Sequence, residues 1–129
     1  MNPPATADHV AAVEAAERAA GFSGFDEGTA WQLGSVLRTL AVERGLAIAI
    51  DICLGEHRLF HCALPGTSAH NEKWIERKKN TVREWGSSSY LVGLRFPIVD
   101  APYTLEDAPW MDSRRYTSSG GGFPIQIAG

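Results

Sequence analysis

Three segments of the chain are patterned as α-helices, and in two of them apolar residues recur at every third or fourth position. They are residues 5–21, 27–45 and 72–86. The first is rich in alanine and buries little apolar area, which suits a peripheral helix or one that contacts a partner. Asp26 and Asn71 precede the other two, where a short polar side chain accepts hydrogen bonds from the first-turn N–H groups. Gly21, Gly45 and Gly86 are predicted to end the three helices.

A β-hairpin is predicted from residues 46–54 and 57–64, with a tight turn at Gly55–Glu56. The first of these segments is almost continuously apolar, which is typical of a central strand buried on both faces, although Asp51 interrupts it. The second segment contains both polar and apolar residues. Since alternate residues of a strand point to opposite faces of the sheet, one face of this strand carries a mixture of polar and apolar side chains.

The two cysteines flank this turn, but the predicted register keeps them apart. Cys53 is expected opposite Arg58, which leaves Cys62 four residues further along its strand, about 13 Å away at the usual rise. A disulfide does not tolerate that separation of Cα atoms. Two free thiols are therefore expected.

The rest of the chain is predicted to contain two more strands and a long loop. One strand begins at Tyr90, the other covers residues 123–128, and a proline-broken loop spans residues 97–109. Asp112 is expected to cap a short turn. Gly34 stands inside the second helix, where glycine is unfavourable, so a close neighbour such as a crossing strand is expected. Helices and strands are interleaved without βαβ repetition, which predicts an α+β fold with helices packed on an antiparallel sheet.

Composition narrows the classes of protein to which the chain can belong. Its 129 residues suffice for one core, and 44% of them are hydrophobic against 21% charged. The net charge of −3 argues against a general affinity for nucleic acid or anionic lipid. No apolar run reaches the length of about 20 residues that a membrane span needs. These features predict a soluble, cytoplasmic protein.

Several stretches of the chain resemble one known family in the same order: "FDEGTAWQLGSVLRTLAVERGLAIAIDI", "LFHCALPGT", "NEKWIERKKNTV", "SSSY" and "GGGFPI". The family is an uncharacterised bacterial and fungal one within the haem-degrading, GlcG/HbpS-like superfamily. The resemblance implies a profilin-like fold in a homo-oligomer, and a small-ligand-binding role in which haem is bound or degraded. The resemblance spans residues 25–127, and residues 25–129 are predicted to form the domain, after an alanine-rich helix and linker at residues 1–24. The resemblance implies that family members continue beyond "GGGFPI" through a further strand and helix, so either the sequence is truncated at its C-terminus or the gene product is short.

A ligand site is predicted on the third helix. Its basic residues follow a tryptophan by about one turn, and they suit the carboxylates of haem propionates or the phosphate of an ester. A run of three glycines offers backbone N–H groups to the same kind of anion. The predicted ligand-binding residues are Asn71, Trp74, Arg77, Lys78, Gly120, Gly121 and Gly122. The alternatives are a solvated helix face for the basic residues and a flexible entry to the last strand for the glycines.

His61 is added to this site as a possible axial ligand of haem iron, the alternative being a structural role. No metal site is predicted, because His57 and His61 lie about 13 Å apart along their strand. Ser87–Ser89 lack the G-x-S-x-G context of a nucleophile, so no catalytic residue is assigned. The competing function is that of a non-enzymatic scaffold that binds a protein partner.

Overall fold

A computed structural model of the chain describes residues 6–95 and 112–127. Over these residues it has four helices and one two-stranded antiparallel sheet, an α+β fold as predicted. The elements in order are α1 (Ala7–Ala19), α2 (Glu27–Glu43), β1 (Ala49–Leu54), β2 (His57–Ala63), α3 (Ala69–Trp85) and α4 (Ser89–Arg95). None of the described helices is long and apolar enough to cross a membrane.

The chain divides into two compact units. We call Ser23–Ile75 the hairpin unit, and Met1–Phe22 together with Glu76–Ala128 the terminal unit. Helix α3 begins in the hairpin unit and ends in the terminal unit. Each unit is described by itself below.

In the hairpin unit, α2 packs on one face of the β1–β2 hairpin through its smallest residues. Asp26 caps the helix as predicted, since its carboxylate accepts a hydrogen bond from the Thr29 N–H (2.9 Å). This bond lowers the pKa of Asp26. Ala30, Gly34 and Ala41 are buried, and the Phe60 ring of β2 lies against Gly34. The close neighbour predicted for this glycine is confirmed.

The hairpin departs from the prediction in two respects. Within residues 6–95 and 112–127, β1 pairs with β2 alone, whereas its apolar composition predicted a central strand. Its burial alternates as far as Cys53: Ile50 and Ile52 are buried, whereas the residues between and beside them are only partly buried, and Leu54 at the end is exposed. A β-bulge between Ile52 and Cys53 also shifts the register by one residue. Cys53 still lies opposite Arg58, and both cysteines are free, as expected.

The terminal unit contains α1, α4, the last turns of α3 and a C-terminal segment. The strand predicted from Tyr90 is wrong, because Ser89–Arg95 is helical. Ser88 explains the difference: its hydroxyl accepts a hydrogen bond from the Leu91 N–H (3.0 Å) and so caps a helix. Leu91 and Val92 are buried on that helix.

The strand predicted at residues 123–128 is reduced, in the part of the chain that the structure describes, to a parallel bridge between Phe22 and Ile127. The Phe22 N–H donates to the Gln126 carbonyl (2.8 Å) beside it. The turn predicted after Asp112 is present, and its carboxylate accepts from the Arg114 N–H (3.1 Å). The loop predicted over residues 97–109 lies outside the described residues.

Candidate functional site

Asp51 and His61 lie opposite each other across the hairpin, on the face turned away from Ile50 and Ile52. Without the bulge, the predicted register would have placed Asp51 opposite Phe60 instead. Asp51 is a buried carboxylate, with 2% of its side chain exposed, and its Oδ2 forms an ion pair with Arg58 Nε at 2.9 Å. The bulge therefore decides which side chain this carboxylate meets.

Both ring nitrogens of His61 lie close to a carboxylate, and the contact of Nδ1 with Asp51 is a hydrogen bond. Its Nδ1 lies 3.2 Å from Asp51 Oδ2, and its Nε2 lies 3.1 Å from Glu72 Oε1 at the start of α3. The Cys53 thiol donates to the other oxygen of Asp51 (2.8 Å). Since each polar atom already has a partner, an axial bond from His61 to haem iron would require the imidazole to leave one carboxylate.

Asp51, His61 and Glu72 place candidate metal-ligand atoms within 4.8 Å of one another. The sequence analysis missed this cluster because it compared histidines along one strand and used the register without the bulge. The geometry favours a hydrogen-bonded network over a metal centre. The two carboxylates meet opposite nitrogens of the imidazole, whose lone-pair directions diverge, whereas a metal ion is held by one nitrogen of a given ring.

Asn71 and Trp74, two of the predicted ligand residues, have local partners in the hairpin unit. Asn71 lies inside the first turn of α3, and its Oδ1 accepts from the N–H of Ser68 (2.9 Å). The predicted cap is therefore wrong by three residues: Ser68 stands before the helix, and its hydroxyl accepts from the His70 N–H (3.3 Å). Trp74 donates from its indole nitrogen to His70 Nε2 (3.1 Å).

Arg77 also has a partner, in the terminal unit. Its Nε and Nη2 donate to the Tyr116 carbonyl at 3.3 and 3.2 Å. One turn further on, the Thr81 hydroxyl donates to the Thr117 carbonyl (2.8 Å) and accepts from the Thr117 N–H (3.0 Å). The guanidinium of Arg77 thus helps to hold the C-terminal segment against α3.

Gly121 and Gly122 pack so closely against α3 that an added side chain would force its neighbours to shift. A Cβ on Gly122 would lie 3.0 Å from the Lys78 carbonyl oxygen and 3.1 Å from Val82 Cγ2. One on Gly121, whose φ is +124°, would lie 2.9 Å from Lys78 Nζ. Gly122 also exchanges two hydrogen bonds with Ser89, at 2.9 and 3.0 Å. The glycines therefore allow the segment to pass along α3 with the lysine side chain beside it.

Lys78 differs electrostatically from the other predicted site residues. Its side chain is half-buried, and the loss of hydration lowers its pKa. Its ammonium has no hydrogen bond or ion pair with any residue that the structure describes. The same holds, within the described ranges, for the exposed N–H groups of Gly120 and Gly121. Of the predicted residues, Lys78 and the glycine run are brought together, with unused hydrogen-bond donors.

The described residues define a small α+β protein in which one helix holds an unpaired lysine against a glycine loop. Comparison with known proteins assigns the chain to a family. A model of the family "Haem degrading protein HbpS-like" matches residues 25–129. The chain belongs to this HbpS-like family, which confirms the resemblance found in the sequence.

Several relatives that match most of the chain carry the family name UPF0303. A UPF0303 protein of Streptomyces coelicolor is 43% identical over 129 residues, which cover 100% of this chain and 80% of the relative. One from Edwardsiella ictaluri is 44% identical over 92% of this chain and 74% of its own length. The crystal structure of the Ybr137w protein superposes with a TM-score of 0.79 at 31% identity, covering 92% of this chain and 69% of that one.

Proposed function

We propose that this protein binds a small anionic ligand, haem in the first place, through Lys78 and the N–H groups of Gly120 and Gly121. The observation that carries the proposal is the unpaired, partly desolvated ammonium of Lys78 beside Gly121, in a glycine run whose first two N–H groups have no hydrogen-bond partner among the described residues. Membership of a haem-degrading family supports haem as the ligand. As the sequence analysis expected, residues 25–129 would supply the ligand-binding domain.

A carboxylate suits this arrangement for two reasons. A charged acceptor forms a stronger hydrogen bond than a neutral one, and a carboxylate can accept from the ammonium and an N–H group together. Partial burial of Lys78 reduces screening by water, which strengthens the attraction to an anion. The propionate groups of haem are carboxylates of this kind, so the residues fit the anionic end of haem.

The test is a haem titration followed by visible absorption, with the wild type compared with Lys78→Met and Lys73→Met. Methionine retains a long apolar stem but removes the charge. Loss of one charged hydrogen bond, worth roughly 1.5–3 kcal/mol, should weaken haem binding by roughly tenfold to a hundredfold. Lys73 is exposed on α3 and outside the proposed site, so its variant should bind as the wild type does. Equal affinity of the two variants would contradict the proposal.

The same titration has an expected pH dependence. Lys78 holds its charge below its pKa, so the affinity for an anion should be lost as the pH rises through that value. Because burial lowers the pKa, the loss should begin at a lower pH than for an ordinary lysine, which titrates near 10.4. The Lys78→Met variant should lack this step.

Self-association is the second function that the structure favours, and we propose that it occurs through α2. One side of this helix leaves apolar side chains in water: Val36 is 57% exposed, Leu37 39% and Leu40 42%. A shallow groove beside them is lined by Ser35, Val36, Thr39, Leu40 and Glu43. Contiguous apolar surface of this kind marks interaction sites. A second copy is a suitable occupant, because a two-fold contact needs only one self-complementary patch.

A further inference from the structure

All three lysines of the chain lie on α3, in three different environments. Lys73 is exposed to solvent. Lys79 Nζ lies 3.9 Å from a carboxylate oxygen of Glu76, one turn earlier. Of the three lysines, Lys78 is the one that packs against a glycine: a Cβ on Gly121 would lie 2.9 Å from its Nζ. The helix therefore carries one lysine whose environment is unusual, together with two internal comparisons.

A lysine amine attacks a carbonyl carbon only when it is unprotonated, and desolvation is one of the ways in which proteins favour that form. Lys78 is partly desolvated, and no carboxylate among the described residues stabilises its ammonium. Lys79 has such a carboxylate, and Lys73 is surrounded by water. Lys78 is therefore the lysine best placed to act as a nucleophile.

We propose that Lys78 is a covalent attachment site for small aldehydes that carry an anionic group. The proposal rests on the function proposed above, because the N–H groups of Gly120 and Gly121 would hold the anionic group in both cases. Both glycines are exposed, so a small molecule can reach them from solvent.

The reaction needs no oxidant or reductant. The ammonium first loses a proton to water, and the neutral Nζ then adds to the aldehyde carbon to give a carbinolamine. Loss of one water molecule leaves a carbon–nitrogen double bond, an imine, between Lys78 and the ligand. Hydrolysis reverses the reaction, so the attachment is reversible until a reductant is added from outside.

Reductive trapping tests the proposal. The intact protein is incubated with glyoxylate, an aldehyde with a carboxylate, and cyanoborohydride is added to reduce any imine to a stable amine. Cleavage after glutamate then separates Lys73, in residues 73–76, from Lys78 and Lys79, in residues 77–84, and fragment spectra distinguish the last two. We expect Lys78 to be labelled several times faster than either other lysine. Equal labelling of the three would overturn the proposal.

Two comparisons examine the parts of the proposal separately. Propanal, an aldehyde without charge, should show a smaller preference for Lys78; an equal preference would overturn the role of the anionic group. Lys78→Arg forms no stable imine, so it should lose the preferred label. Preferential labelling of Lys78 in a protein that does not bind haem would refute the haem proposal alone.

Discussion

At the scale of single residues, Gly34 shows how one missing side chain determines a contact. A Cβ at this position would lie 2.5 Å from three ring atoms of Phe60, which is itself buried on β2. Gly34→Ala should therefore force the ring or the helix to move. We expect a loss of about 1–3 kcal/mol in the free energy of unfolding, the usual cost of overpacking a core, measured by urea denaturation.

Gly24→Ala is the matched control for this substitution. Its added Cβ would have no atom within 4 Å, and a glycine replaced without strain leaves stability unchanged or slightly raised. If Gly34→Ala were as stable as Gly24→Ala, the close packing of α2 on the hairpin would be contradicted.

At the scale of elements, a buried carboxylate joins α1 to the start of α4. Glu17 is 8% exposed, and its two oxygens accept hydrogen bonds from the N–H and the hydroxyl of Ser88. Glu17→Ala leaves both donors buried without this partner, and an unsatisfied buried group costs about 1–3 kcal/mol. Chemical denaturation should show a loss of that order.

Glu14 provides the comparison for Glu17 on the same helix. It forms an ion pair with Arg95 of α4 at 2.9 Å, but both side chains are about one-third exposed. Pairs in contact with solvent contribute about 0–1 kcal/mol, so Glu14→Ala should have a much smaller effect. Equal losses from the two variants would show that burial of the Glu17 carboxylate is not what joins these helices.

At the scale of the whole molecule, the exposed apolar side of α2 predicts self-association. Leu40→Glu places a charge in the middle of that surface, and burial of an unpaired charge is strongly unfavourable. Light scattering should give a multiple of the 14.0 kDa monomer mass for the wild type and a smaller mass for this variant.

Arg38→Glu is the control for a change of charge on α2. Arg38 is also exposed, but at 100° per residue it points to the opposite side of the helix from Leu40. Its variant should retain the wild-type mass. A wild-type protein that remains a monomer, or a Leu40→Glu variant of unchanged mass, would refute assembly through α2.

Local chemistry was sufficient to predict several parts of the fold. Asp26 begins α2, and Gly45 and Gly86 follow α2 and α3 with φ of +63° and +67°, because capping and left-handed turns depend on one or two neighbouring residues. The hairpin turn was predictable for the same reason. The close neighbour of Gly34 could be inferred because glycine inside a helix is unfavourable unless packing compensates.

Tertiary contacts explain the predictions that failed. Residues 90–95 have a composition that is common in strands, yet they form a helix because Ser88 caps it and Glu17 holds Ser88. No pattern in the sequence places Glu17 beside Ser88, 71 positions away. The bulge after Ile52 was equally hidden, and it determines that Asp51 meets His61.

The sequence by itself determined the α+β class, the family, the main helices and hairpin, and the basic and glycine residues from which a site could be proposed. Only the tertiary structure decided which of those residues retain unused hydrogen-bonding groups. Asn71, Trp74, Arg77 and His61 are each paired within their own unit, whereas Lys78 lies unpaired beside the glycine run. The physical reason is that caps and turns depend on near neighbours, whereas desolvation and pairing depend on residues that folding brings together.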